Sequence, residues 1–286
     1  MSGPTLEVPE IARDGRLAGQ TVIVTGAGSS GEMAGTGAAM AVLFAAKGAN
    51  VVILDRDEDR AQHTYETVRA RGDEATVVIA DITEAAQCRR AAETTLAAYG
   101  RIDALVNNAA IAPGEQDADE ALWDKIVGLN LKAAKLMIDA VLPQMRTQGV
   151  GSIINISSIA AVQAGGGQAY SAAKAGLVGL GRAIAFQEGR NGIRVNDVAP
   201  GHVAIPMGLG FKGWTDDMAA GDATRLRRAR ATMLGTEGTG WDVAYAALFF
   251  ASAESRYVTA VSMPVDGGTT AVFPIVMWPY LANLED

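Results

Sequence analysis

The sequence predicts an α/β fold, a parallel sheet wound with helices on both faces, and three observations predict it. Short β-branched runs alternate with longer segments of helical period along almost the whole chain. The runs are continuously apolar, as strands buried on both faces must be. No linker, repeat or low-complexity stretch separates two halves, so one domain is expected from residue 20 to 270.

Element by element, TVIVTG reads as the first strand and AAMAVLFAAKG as the helix after it. NVVILD gives a second strand, a helix runs through about Val68, and ATVVIAD gives a third. A helix near residues 84 to 99 leads to the strand ALVNNA, and a long helical stretch extends from about Glu120 to Arg146. Next come the strand GSIINIS, a helix from Tyr170 through Glu188, the strand IRVNDVAP and, near the end, VSMPVDG. This order implies a doubly wound, Rossmann-type sandwich. Residues 203–235, rich in Gly, Met, Ala and Arg, interrupt the rhythm after a strand's carboxyl end, where a small substrate-covering lobe would sit. Residues 1–19 read as an N-terminal arm on the surface, and 271–286 as a C-terminal extension.

Bulk composition narrows the partners. With 286 residues, 49% of them hydrophobic, the chain can bury a large core. Its 24 basic and 32 acidic residues leave a net charge of −8, so no broad basic surface is expected for a nucleic acid. A single cysteine, Cys88, forms no internal disulfide, and with two histidines it builds no ordinary zinc site, so no metal is expected. No signal-like stretch and no run of eighteen apolar residues is present, from which a cytoplasmic location without membrane association is expected.

After the first strand comes Thr25-Gly26-Ala27-Gly28-Ser29-Ser30-Gly31-Glu32-Met33-Ala34-Gly35-Thr36-Gly37. Such a loop lets backbone approach a pyrophosphate and offers the free amides of the following helix to it. Gly26, Gly28 and Gly31 spell the dinucleotide fingerprint literally. A helix starting there would carry Gly35 and Gly37 in its first turns, at roughly 1 kcal/mol each. A start near Gly35 is preferred, with Gly26, Gly35 and Gly37 as the functional glycines and Ser29, Ser30 and Thr36 as phosphate candidates. Asp55 ends the second strand, where a carboxylate can accept from adenosine ribose hydroxyls and repel a 2′-phosphate, favouring NAD over NADP. Arg56 follows it and could attract such a phosphate. Asp81, beside Ile82, either holds an adenine amino group or caps the next helix.

Ser158 follows the fifth strand, and Tyr170 and Lys174 are four apart on the next helix, hence on one face. A phenol with a reference pKa of about 10 becomes a usable proton acceptor beside an ammonium and a cationic nicotinamide. Ser158 could position the substrate oxygen. Asn130 is a polar residue inside an apolar helical stretch; it either holds a water that joins Lys174 to solvent or is a plain buried hydrogen-bonding asparagine.

Together these residues resemble the classical short-chain dehydrogenase/reductase (SDR) family from about Gln20 to Gly268. The resemblance rests on Thr25-Gly26 with Gly35-x-Gly37, Asn107-Asn108-Ala109-Ala110, Asn130, Ser158, Tyr170-x-x-x-Lys174, Pro200-Gly201 and Val265-Asp266-Gly267-Gly268. It implies a catalytic tetrad of Asn130, Ser158, Tyr170 and Lys174, with Lys174 also on the nicotinamide ribose. It implies that Asn108, Ala109, Ala110, Pro200, Gly201, Val203 and Ile205 line the cofactor, and that the protein is a homo-oligomer, tetramer or dimer. Four departures stand out: a glycine loop about five residues longer, Ala110 for the usual glycine, a Ser158–Tyr170 interval one residue short that keeps Ser157 as a minor candidate, and Ile205 where many relatives carry a threonine.

Ile205, Met207, Leu209, Phe211, Trp214 and Met218 give the lobe an apolar set suited to a hydrophobic or alicyclic secondary alcohol, or else to packing on the body. Arg225, Arg227, Arg228 and Arg230 read as a solvated helix face rather than as an acid-binding site. The apolar C-terminal segment is expected to pack across a neighbouring subunit. The expected activity is hydride transfer between a secondary alcohol and NAD, giving the ketone. A ketoacyl reductase, or a non-catalytic NAD-binding scaffold, are the alternatives.

Overall fold

A computed structural model describes residues 6–112, 119–207 and 225–277. Among them, seven strands form one parallel sheet: β1 (Thr21–Thr25), β2 (Asn50–Asp55), β3 (Ala75–Ile79), β4 (Ala104–Asn107), β5 (Gly151–Ile156), β6 (Ile193–Pro200) and, ninth in the chain, β9 (Ser262–Val265). Their order is β3-β2-β1-β4-β5-β6-β9, which reverses direction between β1 and β4. Ligands of open α/β sheets bind outside the carboxyl ends of strands at such a switch point.

Side chains of a strand alternate between faces, so each strand feeds two cores. Val22, Val24, Val51, Ile53, Val106 and Ile154 join one core with helices α1 (Thr36–Ala46), α2 (Glu58–Ala70) and α7 (Gly240–Ala251). Ile23, Val52, Leu54, Leu105, Ile153 and Val195 join the other, with α3 (Ala85–Tyr99), α5 (Ala133–Gln148) and α6 (Gln168–Glu188). Burial on both faces is the reason these strands read as unbroken apolar runs.

The sequence expected one helix from Glu120 to Arg146. The structure divides it into α4 (Glu120–Val127), a π-helical turn over Gly128–Lys132 and α5. Helix α7 was not foreseen, nor was the two-residue pair β7 (Val203–Ala204) with β8 (Gly238–Thr239). The N-terminal arm is tied into the body rather than laid over it. Leu6, Ile11 and Leu17 are buried in the α1 core, Lys47 donates to the Ala12 carbonyl and pairs with Asp14, and Arg13 pairs with Asp73.

Candidate active site

The glycine loop is fastened to the end of β4 by Asn108. Its Nδ2 donates to the carbonyls of Thr25 at 2.9 Å and Gly26 at 3.0 Å, and its Oδ1 accepts from Thr36 Oγ1 at 2.6 Å. Thr25 Oγ1 in turn accepts from the amides of Asn108 and Ala109. Gly26 has a positive φ, and a Cβ on Gly37 would stand 2.1 Å from the Gly26 carbonyl oxygen, so close approach requires both glycines.

Helix α1 starts at Thr36 with Gly35 as its N-cap, as the preferred register expected. No side chain caps it, its first turn carries no acid, and a Cβ on Gly35 would meet no heavy atom within 4 Å among the described residues. The first amides of α1 are therefore left without a side-chain cap, as a pyrophosphate site requires. Ser29 is buried with an unpartnered hydroxyl among the described residues, whereas Ser30 is exposed.

Asp55 accepts from the Gly28 amide at 2.8 Å and the Asp57 amide at 3.1 Å, which fixes its carboxylate beside the loop. Arg56 is exposed next to it. Asp81 accepts from the Thr83 amide and hydroxyl, and these bonds, aided by Arg56, hold its carboxyl below the ordinary range. Its side chain thus braces the turn before α3, whose N-cap is Glu84. Ile82 is buried beneath.

At the end of β5 the two serines part. Ser157 donates to the Val198 carbonyl at 3.1 Å and is turned into β6, which leaves Ser158 on the side of Tyr170. Ser158 Oγ accepts from the Ala160 amide at 3.1 Å. Gly166 and Gly167, both at positive φ, bring backbone against the phenol: a Cβ on Gly166 would lie 2.9 Å from Tyr170 Cδ1. Burial pushes the Tyr170 phenol above its usual range, and a hydrogen bond with Ser158 works against that.

Lys174, one turn on, is 2% exposed. Its Nζ donates to the Ile156 carbonyl at 2.8 Å and stands 5.6 Å from the centre of the Tyr170 ring. Burial lowers its pKa to about 8, and the Asp197 carboxylate opposes that drop. Asn130 lies in the π-helical turn, where its Nδ2 donates to the carbonyls of Ile111 and Ile126, both at 2.9 Å. Asn130, Lys174 and Asn107 together border a cavity of about 10 Å³, room for about one water.

Farther along the edge, Pro200 and Val203 are buried, Gly201 abuts Asp266, and Ala109, Ala110 and Ile205 are half-buried. Leu209, Phe211, Trp214 and Met218 lie outside the described residues. The solvated face expected for the lobe arginines is not found at two of them. Arg225 and Arg228 pair with the buried Glu237, at 2.9 and 3.2 Å, and Arg228 also donates to the Val203 carbonyl. Asn155 and Asp197, both buried beside this site, were not singled out from the sequence; a polar residue inside an apolar strand was the available signal.

A family model described as enoyl-(acyl carrier protein) reductase matches residues 31–270. A 2,5-dichloro-2,5-cyclohexadiene-1,4-diol dehydrogenase of Sphingobium indicum is 36% identical over 257 residues, 88% of this chain and 97% of that protein. The chain belongs to the classical short-chain dehydrogenase/reductase family. This SDR is also 33% identical to a levodione reductase of Leifsonia aquatica, over 90% of its own length and 97% of the relative's. It superposes on a crystal structure of levodione reductase with a TM-score of 0.81 at 32% identity, over 90% of this chain and all of that one. As an SDR it is an oxidoreductase of alcohol- or ketone-type small molecules and uses a nicotinamide cofactor. Among its described residues no helix is long and apolar enough to cross a membrane, and no group of three His, Cys, Asp or Glu side chains could hold a metal ion.

Proposed function

We propose that this SDR is an NAD-preferring dehydrogenase of secondary alcohols, apolar or alicyclic, with Tyr170 as the general base. One observation carries the reading: Ser158, Tyr170 and Lys174 converge at the carboxyl edge of the sheet, the Ser158 hydroxyl on the side of the phenol and the ammonium 5.6 Å from its ring. The nicotinamide cofactor supplies the hydride acceptor and, when oxidised, a positive charge.

Ser158 holds the substrate oxygen by a hydrogen bond. Tyr170 Oη takes the hydroxyl proton as the carbinol C–H bond gives up its hydride, leaving the ketone. The buried Lys174 charge favours the phenolate against the opposing effect of burial. Asn130 keeps the helix join in register and borders the cavity beside Lys174. Gly26, Gly35 and Gly37 with Ser29, Ser30 and Thr36 would hold the pyrophosphate, Asp55 the ribose, and Asn108, Ala109, Ala110, Pro200, Gly201, Val203 and Ile205 the nicotinamide half. Asp81 and Ile82 would flank the adenine.

The NAD preference is supported by Asp55, whose fixed carboxylate would repel a 2′-phosphate. The alicyclic class is supported by the names of the two relatives, which denote a cyclohexadienediol dehydrogenase and a levodione reductase. The test is a panel of secondary alcohols with NAD and NADP in parallel, followed by reduced-cofactor absorbance. Cyclic alcohols with NAD are expected to turn over fastest. Tyr170→Phe is expected to lose roughly 10²–10⁴-fold in kcat while keeping NADH affinity. Wild-type turnover in that variant would remove Tyr170 as the base.

A further inference from the structure

Three adjacent strands place polar side chains side by side in one buried row. Asn107 of β4 is in register with Asn155 of β5, and Asn155 with Asp197 of β6. All three are buried, at 5%, 0% and 1% exposure. Asn107 Nδ2 donates to Asn155 Oδ1 at 2.9 Å, and Asn155 Nδ2 donates to Asp197 Oδ1 at 3.1 Å. Helix α6 covers the row and has Gly181 where a Cβ would come 3.1–3.4 Å from Asn155 and Asp197. Gly181 is two helical turns beyond Lys174, so the lysine and the glycine share the face that looks onto the row. At the far end, Asn107 borders the cavity that Lys174 and Asn130 also border, and its Oδ1 has no hydrogen-bond partner among the described residues.

We propose that Asp197 is a positioning residue, which sets the direction of this row so that an acceptor, and not a donor, faces the Lys174 cavity. An ionised carboxylate only accepts hydrogen bonds. Asn155 must therefore turn its NH2 toward Asp197 and its oxygen toward β4. Asn107 must then give its own NH2 to that oxygen, which leaves Asn107 Oδ1 for the cavity. The charge polarises each bond of the row, strengthening the acceptor at its end and favouring the Lys174 ammonium. Were Asp197 neutral, its hydroxyl could donate to Asn155 and both amides could reverse. An NH2 group would then stand beside the ammonium, donor facing donor.

The row is therefore sensitive to pH. Burial pushes the Asp197 carboxyl up to about 7, against the Asn155 hydrogen bond and the charges of Arg182 and Lys174. Among the described residues those two α6 cations are the charged groups acting on it, and the neighbouring strands place uncharged Asn155 and Ser262 at the register-paired positions.

This inference deepens the proposed function, since it takes Lys174 as the charged partner of Tyr170. The test combines Asp197→Asn, close to isosteric, with amide NMR of the wild-type protein. In the variant the rising limb of kcat/KM for alcohol oxidation is expected to move about one pH unit to the alkaline side, about a tenfold loss at fixed pH below it. In the wild type the side-chain NH2 signals of Asn107 and Asn155 are expected to shift together with a common midpoint near neutrality. A folded variant with the wild-type pH profile, or wild-type amide signals flat from pH 5 to 9, would overturn the inference. Should the variant not fold, the wild-type titration decides alone. Turnover retained by Tyr170→Phe would remove the general-base reading and leave the amide titration intact, so the two failures are distinguishable.

Discussion

A single missing Cβ decides whether the glycine loop can close. At Gly37 an added methyl would meet the Gly26 carbonyl oxygen at 2.1 Å and Asn108 Nδ2 at 2.6 Å, and neither atom can withdraw without breaking the Asn108 clamp. Gly37→Ala is expected to cost about 1–3 kcal/mol, a fall of several degrees in Tm, and to weaken NADH binding in a fluorescence titration. An unchanged melt would mean that the loop has slack the structure does not have. Asp55 acts differently, because its role lies in discrimination. Asp55→Ala is expected to lower the ratio of kcat/KM with NAD to that with NADP at least tenfold, about 1.4 kcal/mol, by removing both a ribose acceptor and a repulsion. A ratio that does not move would assign the preference elsewhere, with the exposed Arg56 the first place to look.

Elements were legible where periodicity and burial agree, and obscure where one polar residue or one turn carries the meaning. The strands β1 to β6 and the start of α1 near Gly35 follow from unbroken apolar runs and from the cost of helical glycines. Helix α7 was missed because GWDVAYAALFFA is apolar nearly all round and lacks the polar face that marks a surface helix. The π-helical turn at Asn130 leaves no periodic trace, since five residues of helix look alike in either winding. The Asn107–Asn155–Asp197 row was invisible because strand register joins residues far apart in the chain. Helix α7 also shows what an end contact does. Asp242 accepts from both the amide and the hydroxyl of Thr239, and the next residue, Gly240, abuts the Ala34 carbonyl of the glycine loop. Asp242→Ala is expected to cost about 1 kcal/mol in thermal or urea unfolding, and a change below about 0.3 kcal/mol would show that the packing of α7 on α1 fixes its start unaided.

Across the whole molecule, stability and chemistry draw on the same two buried charges, Asp197 and Lys174. The carboxyl of Asp197 is raised to about 7 from an unfolded value of 3.8, so its contribution is present in full below about pH 4 and is lost as pH rises through 7. Lys174 has its pKa lowered to about 8 from 10.5, so burying its charge costs stability at and below neutrality, and that cost fades only above pH 8. Between pH 4 and 7 the Lys174 cost is constant, and the changing part of the pair is Asp197. Comparing the wild type with Asp197→Asn isolates it, because the other titrating groups are common to both proteins. Relative to the variant, the wild type is expected to lose stability as pH rises across this window, at a slope of up to about 1.4 kcal/mol per pH unit. Parallel stability curves for the two proteins from pH 4 to 7 would show that Asp197 keeps an ordinary carboxylate pKa in the fold, and the pH sensitivity of the row beside Lys174 would fall with it.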